Sequence, residues 1–142
     1  MAQQAPWINR LTIKKARKHM MKIAITAHGE DRHAAVDSRF GRADYFVLYD
    51  QEKDTWDAMP NTQNLEAAHG AGIQAGQSLA KTGAKVLITG HVGPKAFKVL
   101  QAGQIAMYSL GEMNGTVEEA LSAFLAGKLA AIAVPNALDG KK

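Results

Sequence analysis

Between Lys85 and Tyr108 the chain reads K-V-L-I-T-G-H-V-G-P-K-A-F-K-V-L-Q-A-G-Q-I-A-M-Y, a strand, a glycine-bearing turn, a helix and a second strand in direct succession. Val86, Leu87 and Ile88 form the short apolar run that a strand buried on both faces requires. Pro94 suits the first helical position, where its fixed φ is pre-organised and its missing N–H has no role. Ala96, Phe97 and Leu100 give that helix an apolar face, Gly103 ends it, and Ile105 to Tyr108 restart a strand. A crossover of this kind joins parallel strands, so the chain builds an α/β sheet with helices packed on it. The turn Thr89-Gly90-His91-Val92-Gly93 then falls at the carboxyl edge of the sheet. Open α/β sheets hold ligands there, and a helix start favours anionic ones.

The other elements follow from pattern. Lys22 to Ala27 is a compact apolar run and reads as the first strand. Residues 28–44 are polar and long for a connection inside a compact domain, which more often marks function than filler. Tyr45 to Tyr49 and Thr55 to Met59 flank the polar turn Asp50–Asp54 and read as a hairpin. Helical spacing of Ile73, Ala75, Leu79 and Ala80 predicts a helix over 66–82, closed by Gly83. Gly70, Gly72 and Gly76 weaken it by about 1 kcal/mol each relative to alanine, so backbone there is expected to approach the sheet or a ligand closely. Thr116 and Glu119 make a capping box for a helix from Val117 to Leu125. Ala130 to Val134 is a short edge segment and 135–142 a polar tail. The sum is a five-stranded mixed sheet with helices on both faces, the hairpin to one side of the first strand and the crossovers to the other. Three segments converge at one edge: the 28–44 loop, the helix start at 68–72 and the 89–94 turn.

Composition narrows the chemistry. There is no cysteine, which excludes disulfides, thiolate catalysis and any cluster held by the chain's own thiolates. The formal charge of +4 is misleading as a sign of nucleic-acid binding. Arg10, Lys14, Lys15, Arg17 and Lys18 stand in residues 1–20 without an acidic residue, and the remainder balances 12 basic against 13 acidic residues. Residues 1–20 read as a disordered basic extension upstream of a start at Met20 or Met21, and 21–134 as the α/β domain. With no h-region and no apolar run long enough to span a membrane, a cytoplasmic protein is expected.

Enzymatic alternatives lack their parts. A two-metal nuclease needs clustered carboxylates including one on the first strand, and Lys22–Ala27 has none. G-x-S-x-G, P-loop and dinucleotide patterns are absent.

Five motifs in order, M-K-I-A-I at 21–25, F-G-R-A-D-Y-F at 40–46, H-G-A-G-I at 69–73, T-G-H-V-G-P-K-A-F at 89–97 and T-V-E-E-A-L at 116–121, resemble the dinitrogenase iron–molybdenum cofactor biosynthesis family. That family includes nitrogenase cofactor carriers and a molybdenum–copper orange protein. The resemblance spans roughly 21–134. It implies a ribonuclease H-like three-layer fold that holds a metal–sulfide cluster, of Mo–Cu–S or Fe–Mo–S type, without thiolates.

Such a cluster is a bulky anion with a polarisable sulfur surface. Backbone donors to hold it are offered by Gly70, Gly72, Gly90 and Gly93, and cations by Arg39 and Arg42. Exchangeable metal contacts are offered by His69, His91 and His28, of which the first two stand beside glycine at helix starts. Arg42 has an equal structural alternative, bracing the loop against Asp37 or Asp44, and Phe40 and Gly41 are expected to be structural. Two functions stay open: a non-enzymatic cluster carrier that serves an acceptor or biosynthetic protein, and a regulatory or small-anion-binding module whose basic tail meets nucleic acid or a partner.

Overall fold

The computed structural model describes residues 21–61 and 71–136. Its strands are β1 (Lys22–Ala27), β2 (Tyr45–Asp50), β3 (Thr55–Pro60), β4 (Ala84–Thr89), β5 (Ala106–Ser109) and β6 (Ala130–Ala131). Its helices are α1 (Ala71–Lys81), α2 (Pro94–Ala102) and α3 (Val117–Leu125). The sheet order is β3-β2-β1-β4-β5-β6. β1 is parallel to β4 and antiparallel to β2, so the strand order reverses at β1. The hairpin and the crossovers lie on opposite sides of β1, as the element order requires.

The sheet has six strands, not the five expected. Ala130 and Ala131 pair antiparallel with Ser109 and Tyr108, and the Ile132 N–H continues the contact to Met107 O at 2.8 Å. Two exposed alanines carry no alternation and little β preference, so pattern alone marks only an edge segment. Burial of Ile132 in the core is what seats them.

Alternation along the strands divides the core between the two sheet faces. Ala24, Phe46, Leu48, Leu87 and Met107 point to the face covered by α1 and α2, where they meet Ala75, Leu79, Phe97 and Leu100. Ile23, Ile25, Val47, Val86 and Ile88 point to the other, covered by Val117, Ala120 and Leu121 of α3. Helices therefore lie on both faces.

The glycines of α1 face the neighbouring helix. A Cβ on Gly72 would stand 2.9 Å from Ala96 Cβ, and one on Gly76 2.9 Å from Val99 Cγ1. Close helix approach, rather than the sheet or a ligand, accounts for them. Residues 66–70 of the expected helix lie outside the described residues, as do 1–20 and 137–142.

The capping box at α3 forms as spaced, with Glu119 N–H donating to Thr116 Oγ1 at 3.2 Å and Thr116 N–H to Glu119 Oε1 at 2.9 Å. Thr116→Ala is expected to lower unfolding free energy by about 1 kcal/mol. Urea titration monitored by circular dichroism measures this, and a midpoint identical to wild type would refute it. Among the described residues, no helix is long and apolar enough to cross a membrane.

Candidate functional site

The parallel strands β1 and β4 end side by side, at Ala27 and Thr89, and the chain leaves both toward the same edge. From β1 it enters the 28–44 loop, and from β4 the turn that opens α2. The loop is long but well anchored, because its backbone polar groups find partners on three elements. Val117 N–H and Glu118 N–H, at the start of α3, donate to Ala34 O and Arg32 O, both at 2.9 Å. Asp37 N–H donates to Thr26 O at 2.9 Å, and the Thr26 hydroxyl donates to Asp37 O, with Thr89 Oγ1 2.8 Å away. Ser38 O accepts from Gly90 N–H at 3.1 Å and from His91 N–H at 2.7 Å. Phe40 N–H then donates to His91 O at 3.3 Å, which makes residues 38–40 a short parallel extension beside the turn.

This docking explains two residues. Phe40 is 2% exposed and packs on Phe46 with ring centroids 5.5 Å apart, so it anchors the loop in the core. Gly90 admits the loop: a Cβ there would sit 2.6 Å from Ser38 Cβ and 2.7 Å from Ser38 O. The N–H groups of Gly90 and His91 are thus bonded within the protein. Gly93 is the N-cap of α2 and gives that helix no side-chain cap, and Pro94 stands at its first turn as expected.

A charge cluster sits beside the turn. The Asp37 side chain is 2% exposed, yet it carries a full set of partners. Arg39 closes on it in bidentate fashion, Nε to Oδ1 at 3.0 Å and Nη2 to Oδ2 at 2.9 Å, and Arg39 N–H donates to Oδ1 at 2.9 Å. His28 Nδ1 lies 3.5 Å from Asp37 Oδ2 and 3.6 Å from Asp44 Oδ2. Burial pushes the Asp37 carboxyl up, but the Arg39 hydrogen bonds and charge, helped by His28, outweigh it and hold it below its ordinary range. Asp37 in return raises Arg39 above the usual guanidinium range.

Of the residues expected to form a site, the structure brings His28, Arg39, Gly90, His91 and Gly93 to one edge, and Arg42 is exposed on the same loop. Gly72 belongs to the α1–α2 contact, and His69 and Gly70 lie outside the described residues. Bracing against Asp37, which sequence offered to Arg42, is done by Arg39. His91 is exposed at the loop–turn junction, while His28 leans to the two carboxylates. Sequence reading missed Ser38 and the anchoring role of Asp37. The spacing Asp37-x-Arg39 was the available signal, since an Asp side chain readily accepts from the backbone two residues on. No group of three or more His, Asp or Glu side chains among the described residues is placed to hold a metal ion. Two grooves, of about 520 and 540 Å³, lie along α3 and not at this edge.

Residues 21–127 match the family model described as dinitrogenase iron–molybdenum cofactor. The chain belongs to that family. Among solved structures, the family member described here is similar to the apo form of the orange protein from Desulfovibrio gigas, at 45% identity and TM-score 0.78, over 84% of this chain and 98% of that one. It is also similar to a putative NifB protein from Thermotoga, at 36% identity and TM-score 0.73, over 83% of this chain and 98% of that one. No curated protein matches it.

Proposed function

We propose that this protein binds and carries, or stores, a preassembled metal–sulfide cluster containing molybdenum, iron or both, and that it does so without catalysis. The observation that carries the reading is the junction of loop and turn, which presents His91 beside Arg39 at the carboxyl edge where the strand order reverses. A cluster that brings its own sulfide ligands asks little of its host: hydrogen-bond donors, a cation, and one contact that can be released on delivery. This edge suits those demands better than chelation of a bare ion, since its described His and carboxylate groups do not converge as a ligand set. His91 is the exchangeable contact. Arg39 contributes charge while two of its N–H groups stay on Asp37, and its side chain is 57% exposed. The α2 N-terminus, without a side-chain cap, faces negative charge favourably. Membership of an iron–molybdenum cofactor family and similarity to the orange protein and a NifB-like protein support the cargo class. The cargo is of the Mo–Cu–S or Fe–Mo–S type, the setting cytoplasmic, and the recipient an acceptor or biosynthetic protein.

Anaerobic incubation of the full chain with tetrathiomolybdate and copper, or with an iron–molybdenum precursor, tests this. After gel filtration, stoichiometric molybdenum and charge-transfer absorbance are expected. His91→Ala should weaken retention about tenfold, the scale on which metal-site partners act, with an unchanged circular dichroism spectrum. No retained metal from either source would overturn the carrier reading, and full retention by the variant would remove His91 from it.

A further inference from the structure

Asn136 follows the last strand in a segment whose composition predicts only a polar tail, yet it reaches back to the candidate site. Its Oδ1 accepts from Val92 N–H at 2.7 Å, and its Nδ2 donates to Gly90 O at 2.9 Å. Its own backbone N–H donates to Val92 O at 3.0 Å. These three bonds flank His91 on both sides in sequence. The amide orientation is fixed by its partners, because Val92 N–H needs an acceptor and Gly90 O needs a donor.

Ser38 grips the same turn from the other direction through the N–H groups of Gly90 and His91. Between them, Ser38 and Asn136 engage Gly90 N–H and C=O, His91 N–H, and Val92 N–H and C=O. The peptide planes on either side of His91 therefore have little freedom, and the exposed imidazole projects from a clamped backbone. Neither aspartate nor alanine reproduces both side-chain contacts of Asn136. Aspartate would turn a second acceptor toward Gly90 O, and alanine would leave Val92 N–H and Gly90 O without these partners.

We propose that Asn136 is a positioning residue for the His91 turn, so that a C-terminal segment far away in sequence sets where the exchangeable imidazole is presented. The assignment rests on the reading of His91 as the cluster contact, and its test separates the two. In metal-free full-length protein, Asn136→Ala and Asn136→Asp are compared with wild type by amide exchange and by NMR of the His91 imidazole. Val92 amide exchange is expected to rise about fivefold in Asn136→Ala, as for one lost hydrogen bond, and less in Asn136→Asp, whose carboxylate still accepts from Val92 N–H, while Leu87 and Leu100 amides keep their protection. The His91 ring signals should shift or broaden, and those of His28 should not. The same variants are then incubated with tetrathiomolybdate and copper, where retained molybdenum should fall about fivefold.

Unchanged Val92 exchange in Asn136→Ala, or unmoved His91 signals in both variants, would overturn the positioning role whatever the metal does. Moved signals with wild-type molybdenum retention would show that the clamp does not serve the site, and would overturn it equally. If wild type itself retains no molybdenum, the carrier reading fails, and the metal-free measurements still decide whether Asn136 holds the turn.

Discussion

Gly90→Ala should destabilise the protein by about 3 kcal/mol, at the upper end of what overpacking a tight contact costs. The added Cβ would meet Ser38 Cβ at 2.6 Å, Ser38 O at 2.7 Å and Ser38 Cα at 2.9 Å. Two of those atoms are backbone, and Ser38 O is held by the N–H groups of both Gly90 and His91. No rotamer change relieves such a clash, so the loop must lift off the turn. The loss then spreads to the Phe40 N–H bond on His91 O and to the packing of Phe40 on Phe46. Urea denaturation gives the stability change, and hydrogen exchange at His91 reports whether the loop has lifted. A variant within 0.5 kcal/mol of wild type, roughly the range of neutral surface changes, would show that Gly90 is not the close-approach position described.

Asp37→Ala is the second large effect, expected at about 2 kcal/mol for the loss of charge-assisted hydrogen bonds. The cost stays below that of breaking a fully buried pair because Arg39 is more than half exposed and water can replace its partner. The pH dependence follows from the direction of the shift. A carboxyl held below its unfolded value contributes stability that is complete above the unfolded value, about 3.9, and is lost as pH falls through the lower folded value. Wild type should therefore lose stability on acidification below about pH 4, with Arg39 and His28 as the groups facing Asp37. Asp37→Asn should lose less over the same range. Parallel acid titration curves for the two proteins, followed by circular dichroism, would contradict the assignment of that loss to Asp37.

Much of the fold could be read directly because its signals are local. Thr116 and Glu119 stand three residues apart and cap their own helix, and Pro94 starts its helix through its own fixed φ. The Tyr45–Asp50 and Thr55–Pro60 hairpin is closed by its own polar turn. Reading of the site was weaker. The edge itself could be located, since a βαβ crossover dictates where its turn falls. The role of each residue there could not. Glycines at 72 and 90 look alike in sequence, and only packing shows that one meets Ala96 and the other Ser38. Arg39 and Arg42 are likewise interchangeable on paper, and chain geometry gave Asp37 to Arg39.

The sequence by itself determined the class of sheet, the order and type of its main elements, the absence of thiolate chemistry and the family to which the motifs point. These rest on periodicity, capping and composition, which act over a few residues or over the whole chain at once. Tertiary structure alone decided the sixth strand, the clamp of Ser38 and Asn136 on the His91 turn, and the buried Asp37 beneath Arg39. Each of those joins a short polar group to a partner whose position is set by packing of the core. A hydrogen bond across 46 residues, as from Asn136 to Gly90, leaves no periodic trace, because one asparagine in a polar segment looks like any other until the fold brings its partner within 2.9 Å.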